Sequence, residues 1–236
     1  MLINNLLFVS LAPVLIIALY IYSRDKYEKE PLAVLLRALL AGVAIVLPVV
    51  LIERLLSSAA AETEGLSYVA YTAFVVAGFT EEVFKYIVFL LFFWNNRNFN
   101  EKFDGIVYAV YIALGFAAVE NVLYVFTGGV GVGMVRAVTA VPAHALFGIV
   151  MGFYFSRARF SESYRFLFLF LAFFMPFVFH GLYDFLLMSQ SPLMLVIFVP
   201  LFIYFWVSGF RKMAITSDES SFRDSDNVQN KYGDPA

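Results

Sequence analysis

The chain has no cysteine, which excludes disulfides, thiolate metal ligands and a cysteine nucleophile. Charge is also scarce: 14% of its 236 residues are Asp, Glu, Lys or Arg and 62% are hydrophobic, whereas a soluble domain carries about 25% charged residues. The net charge of −2 gives no basic field for nucleic acid, and the 28 Phe and 14 Tyr suit lipid contact and helix packing better than base stacking. Several catalytic signatures are missing as well. No G-x-S-x-G occurs, and no helix-borne serine accompanies either of the two histidines, so a serine mechanism has no nucleophile. No H-E-x-x-H supplies a zincin site. Tyr183-Asp184 has no Gly-x-Gly-Asp partner to make an aspartyl pair. Gly128-Gly129 and the glycines at 131 and 133 lack the G-x-G-x-x-G spacing, which excludes a nucleotide loop and predicts a turn-rich connector.

What is present is hydrophobic length. Mean hydropathy is +0.82, and windows of about 20 apolar residues, the length that crosses a bilayer as helix, recur along the chain. The sequence predicts an all-α, polytopic transmembrane bundle of about seven spans. They run approximately Leu2 to Tyr22, Leu32 to Ile52, Val69 to Trp94, Gly105 to Phe126, Gly133 to Phe155, Phe166 to Met188 and Leu193 to Phe210. The first lacks a positive n-region and a clear cleavage site, so it reads as a retained span. The third is over-long, with a tilt or a break expected near Gly78. One set of loops holds Arg24, Lys26, Lys29, Arg97, Lys102, Arg157, Arg159, Arg165, Arg211 and Lys212, while the opposite set has only Arg54. That asymmetry predicts the N-terminus outside and the C-terminus in the cytoplasm. A membrane domain over 1–212, with a motif-bearing core at about 69–188, is expected to precede a polar, disordered cytoplasmic tail over 213–236.

Against this background the polar residues at membrane depth are few: Arg37, Glu81, Glu82, Lys85, Glu120, Asn121, Arg136, His144, His180 and Asp184. An ionised side chain at a helix centre costs about 2.5–3.5 kcal/mol on insertion scales, which makes each a functional-site hypothesis. Lys85 is i+4 from Glu81 and i+3 from Glu82, so it can face either carboxylate. His180 and Asp184 are also i,i+4, which lets the carboxylate hold one imidazole nitrogen while the other faces the site. At about 1.5 Å per residue, Glu120 and His180 lie roughly 10–12 Å from the outer ends of their spans, a layer shared with Glu81 and His144. His144 precedes Gly148 by four residues, where a missing side chain is expected to leave room. The bland readings are a structural ion pair for Glu82 and Lys85, a packing histidine at 144, an interfacial Asp184, and structural or snorkelling roles for Arg37 and Arg136. Asp104 is expected as a helix N-cap. Taken together, the clustered acids and histidines are poorly explained by packing. They leave open a glutamate general base assisted by histidine, or a metal held by mixed Glu and His ligands.

E-E-V-F-K at 81–85, F-A-A-V-E-N at 116–121, H-A-L-F-G at 144–148 and H-G-L-Y-D at 180–184 together resemble the ordered motifs of the PrsW family. Those are bacterial membrane proteases similar to the type II CAAX prenyl endopeptidases and bacteriocin-processing proteins, although Lys85 and Glu120 stand where the CAAX enzymes carry Arg and His. The resemblance covers roughly Val69 to Met188. It implies an intramembrane endopeptidase, multi-pass in the bacterial cytoplasmic membrane, that cuts a membrane-anchored protein, in that family an anti-sigma factor. It implies catalytic roles for Glu81, Glu82, His144 and His180 and supporting roles for Lys85, Glu120, Asn121 and Asp184. Glu81 is expected to activate water, and His180, oriented by Asp184, to stabilise the oxyanion or protonate the leaving group. Catalysis without a cofactor is expected. Zinc is the alternative, with Glu81, Glu120, His144 and His180 around it. A polar cavity opening outward is expected to admit water. A proton-coupled transporter and a non-catalytic scaffold are the competing classes; the chain shows no inverted repeat for the first, and its complete Glu-Glu set argues against the second.

Overall fold

The computed structural model describes residues 2–60 and 63–223. Among them there is no strand. The elements are α1 (Leu2–Arg24), α2 (Leu32–Ala59), α3 (Gly65–Tyr71), a π-helical segment (Thr72–Phe79), α4 (Thr80–Phe92), α5 (Lys102–Val138), α6 (Ala140–Phe160), α7 (Arg165–Met188) and α8 (Pro192–Asp218). Helix follows from the composition, because lipid offers backbone N–H and C=O groups no partners and only internal bonding satisfies them. Five runs are long and apolar enough to cross a membrane: Asn4–Arg24, Leu32–Ala59, Lys102–Phe160, Arg165–Met188 and Pro192–Asp218. The longest of these runs holds both the expected fourth and fifth spans, which pack side by side because the chain folds back beyond Gly129, and the expected third is built from α3, the π segment and α4, whose junction residues keep helical dihedrals.

The run containing α5 and α6 is the hub. Its apolar window is 78% buried, against 22% for α1 and 17% for α8, and nearly every α5 residue from Phe103 to Ala118 is buried. A helix that is apolar on all sides belongs inside, and the others wrap around it. Ring stacking fixes α4 to α6, with Phe89 and Phe155 nearly parallel at 3.9 Å between centroids. On the outside, large side chains such as Phe8, Leu47, Leu91 and Phe166 are exposed, an arrangement suited to lipid.

Three expectations change at the ends of helices. Glu101, not Asp104, is the N-cap of α5; Asp104 sits in its first turn and accepts the Glu101 N–H at 2.7 Å and the Asn100 N–H at 2.9 Å. The expected tail is helical as far as Asp218, because Met213, Thr216 and Ser217 are buried and Glu219 is held by Lys102 and Arg157, each at 2.8 Å. Residues 224–236 of that tail lie outside the described residues. The glycine connector is a sharp bend: Gly129 has φ 80° and ψ −177°, a region essentially reserved for glycine. After it the chain doubles back. Asn121 and Arg136 are 15 residues apart, which in a straight helix would separate them by about 22 Å, yet Arg136 Nε donates to Asn121 Oδ1 at 2.9 Å.

Gly129→Ala forces a side chain into that backbone conformation at a cost of about 1–3 kcal/mol. We expect a lower melting temperature of the detergent-purified protein, followed by tryptophan fluorescence. An unchanged melting temperature would mean that the bend does not depend on glycine.

Candidate active site

The site begins with a change of helical register. A π turn inserts a residue relative to the α-helix and turns the face that follows by about 100°, and the segment Thr72–Phe79 does this immediately before Glu81. Thr80 Oγ1 donates to the Val75 carbonyl at 3.2 Å, five residues back, within the widened turn. The same stretch lies close against α7: a side chain at Gly78 would meet the Gly181 backbone nitrogen at 3.1 Å. That approach brings His180 beside the two glutamates. Gly148 has a different role from the one expected. Its side chain would meet Val110 Cα at 2.9 Å, so the missing atoms admit the α5 backbone and leave no open room.

Glu81, Glu82 and Lys85 are all buried, their side chains 6%, 0% and 2% exposed. The Lys85 ammonium donates to Glu81 Oε2 at 3.0 Å and to Glu82 Oε1 at 2.7 Å, and its third partner is His144 Nδ1 at 3.3 Å. An ammonium has three donors and no acceptor. All three of its donors are therefore used, and Nδ1 must accept. This places the His144 ring proton on Nε2, which donates to Glu120 Oε2 at 2.8 Å. Glu120 in turn pairs with Arg136 at 3.0 Å. Arg136, expected to be structural or to snorkel, turns inward, while Arg37 is exposed and takes no part. Asn121 secures this side of the site by donating from Nδ2 to the Ser10 carbonyl of α1 at 2.8 Å.

His180 stacks on Phe147, with ring centroids 5.0 Å apart. Its Nδ1 donates to Glu82 Oε1 at 2.9 Å, so Glu82, which was not expected in this role, also orients the ring. Asp184 Oδ2 lies on the other side, 3.3 Å from Nε2, and Glu81 Oε1 is 3.9 Å from the same nitrogen.

A cavity of about 740 Å³ opens onto this network, lined by Glu81, Glu120, Arg136, His144, His180 and Asp184. Its walls include Ser57 near the end of α2 and Met188 at the end of α7, so its mouth is at the end of the bundle opposite the Lys/Arg-rich loops. Glu81 lines the cavity and Glu82 does not. Glu53 also lines it. The sequence reading missed Glu53 because hydropathy ends the second span at Ile52, whereas α2 continues to Ala59.

Among the described residues of this region, one donor set could hold a metal ion: Glu81, Glu82 and His144 offer ligand atoms within 4.8 Å of one another. Those are the three groups that surround Lys85 Nζ. The ammonium fills the centre of the triad with its own positive charge, and a divalent ion does not fit beside it. Among the described residues, no three members of the alternative quartet bring ligand atoms within 4.8 Å of one another.

A family model described as PrsW family intramembrane metalloprotease matches residues 30–207. Curated relatives named Protease PrsW include that of Geobacillus kaustophilus, 39% identical over 79% of this chain and 81% of the relative. That of Oceanobacillus iheyensis is 36% identical over 89% and 94%, and that of Bacillus subtilis is 36% identical over 86% and 91%. No solved structure gives a significant match. A family match across most of the sequence, together with relatives covered over 81% and 94% of their length, establishes that this chain belongs to the PrsW protease family.

Proposed function

We propose that the chain is an intramembrane endopeptidase in which Glu81 activates water to hydrolyse a peptide bond of a membrane-anchored protein. The observation that carries this reading is the inequality of the two glutamates. Glu82 is sealed from the cavity, with one oxygen bound to both Lys85 and His180. Glu81 faces the cavity, and its Oε1 accepts no hydrogen bond from the described residues. The 3.9 Å between Glu81 Oε1 and His180 Nε2 is too long for a direct hydrogen bond, but it suits a water about 2.8 Å from each.

In this mechanism Glu81 takes a proton from the water as its oxygen bonds to the scissile carbonyl carbon. The proton then passes to the leaving amine as the C–N bond breaks. His180, fixed by Glu82 and stacked on Phe147, holds the water and donates to the tetrahedral oxyanion through Nε2. Lys85 holds the Glu81 carboxylate in place through Oε2. Although the family description names a metalloprotease, the donor set is built around Lys85, so no step is routed through a metal. The Lys/Arg asymmetry of the loops supports placing the cavity mouth on the outer face of the bacterial cytoplasmic membrane. The substrate class that the family resemblance implies is a single-pass anti-sigma factor.

Three measurements test this reading. With the purified protein and a model single-pass substrate, Glu81→Gln should slow cleavage by about 10²–10⁴-fold, the usual worth of a general base, with little loss of thermal stability. Cleavage at the normal rate by Glu81→Gln would overturn the assignment. Lys85→Met removes the shared cation and should destabilise the fold by about 3–5 kcal/mol, measured by denaturant unfolding in micelles. Full activity after exhaustive chelation is expected, and activity that is lost and then restored by zinc would reject the metal-independent mechanism.

A further inference from the structure

At the Lys/Arg-rich end of the bundle, far from the cavity, a second set of carboxylates converges. Asp25, Glu28 and Glu30 come from the α1–α2 loop, and Glu101 and Asp104 from the start of α5. Oxygens of Asp25, Glu101 and Asp104 lie within 4.8 Å of one another, and so do those of Glu28, Glu30 and Asp104. Asp104 belongs to both groups. Four of the five are buried, Asp25 and Asp104 completely and Glu30 and Glu101 to within 2%.

The bonding of these groups is one-sided. Asp25 Oδ2 accepts the Glu30 N–H at 3.0 Å, Asp104 Oδ2 accepts two backbone N–H groups, and Glu30 Oε2 accepts the Tyr108 hydroxyl at 2.5 Å. Asn100 donates to Glu28 Oε1 at 3.4 Å, and Ser220 to Glu101. Of the remaining oxygens, Asp25 Oδ1, Glu28 Oε2, Glu30 Oε1 and Asp104 Oδ1 are buried and have no hydrogen-bond partner among the described residues. Among the described residues no Lys or Arg nitrogen lies within 4.0 Å of any of the five carboxylates. Lys29, on the same loop, is instead bound to the Tyr22 carbonyl and sits 4.6 Å from that ring centre. Uncompensated buried carboxylates are costly, and fixing one oxygen while leaving the other free, as in Asp25, Glu28, Glu30 and Asp104, is how a protein presents ligands to an ion.

We propose that this cluster is a divalent-cation site of the hard, oxygen-preferring class, taking Ca²⁺ or Mg²⁺. The donors are all oxygen, which disfavours the metals that select imidazole or thiolate. Two ligands on opposite sides of a Ca²⁺ at about 2.4 Å are about 4.8 Å apart, so the oxygens of each triad lie within the span of one coordination sphere, with Asp104 common to both. The ion ties together the α1–α2 loop, the start of the hub helix and, through Ser220 on Glu101, the end of α8. The alternative is neutralisation by protons, since burial pushes the Asp25 carboxyl up to about 6 and that of Glu30 up to about 7.

The test uses the full chain in detergent micelles, stripped with chelator and titrated with calcium chloride and with magnesium chloride by calorimetry, alongside its melting temperature. One or both salts should bind and raise the melting temperature. Asp104→Asn should weaken binding by about tenfold or more as a carboxylate ligand is lost, while Glu81→Gln in the membrane site binds normally. If Asp104→Asn does not fold, Glu28→Gln, at a half-buried position, should show the same loss. The proposal is overturned if neither salt binds at millimolar concentration, if binding survives the substitution at Glu28, or if it disappears in Glu81→Gln. A melting temperature that rises on acidification and ignores both salts would also overturn it, in favour of protons.

Discussion

The membrane site depends on one ammonium. Lys85 is completely buried, yet its three donors meet two carboxylates and an imidazole, and the Phe116 ring centre lies 4.6 Å away. A single unpaired charge at this depth would cost far more than the few kcal/mol that separate folded from unfolded states. The ion cluster is therefore tolerated only as a unit, and its completion governs where the helices can sit. Helix spacing supplies the first two partners at i−4 and i−3. The third comes from α6, whose position is set by its close packing on α5. His144 then passes the constraint on to Glu120, and Glu120 to Arg136, so an anchor on α4 becomes a network that spans the bundle.

Two departures from regular helix make that network geometrically accessible. The π segment turns the Glu81 face inward, and the bend at Gly129 returns Arg136 to the helix it has just left. Each has a local cost and is repaid by a contact with the charged centre. Without the bend Arg136 would lie roughly four helical turns from Glu120, and Glu120 would present a bare carboxylate to His144 and the cavity. Glu82 is the complementary case. It meets no cavity, but it holds Lys85 and His180 with the same oxygen. Sealing one glutamate thus positions the two groups that flank the other.

The sequence made the membrane class and the membrane-depth polar residues legible, because hydropathy and i,i+4 spacing are local properties. It could also rank Glu81 with His144 and His180, since an isolated charge in an apolar run is conspicuous. What it could not show depends on the backbone leaving its ideal path or on distant segments meeting. Glu82 as a group orienting His180, Arg136 as an inward-facing partner, Glu53 on the cavity wall and the closed space at Gly148 all arise from helix approach and register. Asp104 illustrates a finer limit: Asp near a helix start signals a cap, but only the fold shows that Glu101 takes the cap position and Asp104 reaches back to it.

The two ends of the molecule handle acidic charge in opposite ways. At membrane depth Glu81, Glu82 and Glu120 meet Lys85, Arg136 and two histidines, all supplied by the chain itself. In lipid no ion is at hand, so compensation has to be covalently built in, and a fixed cation has the further property of leaving one oxygen of Glu81 free towards the cavity. At the loop end water and ions are available, and among the described residues none of the five carboxylates forms a salt bridge with Lys or Arg, although Arg24, Lys26 and Lys29 lie on the same short loop or at its edge. Basic residues were thus within easy reach in sequence and are not used. That contrast follows if the loop-end cluster is shaped for a cation that comes from solution, while the membrane cluster is shaped around one that cannot leave.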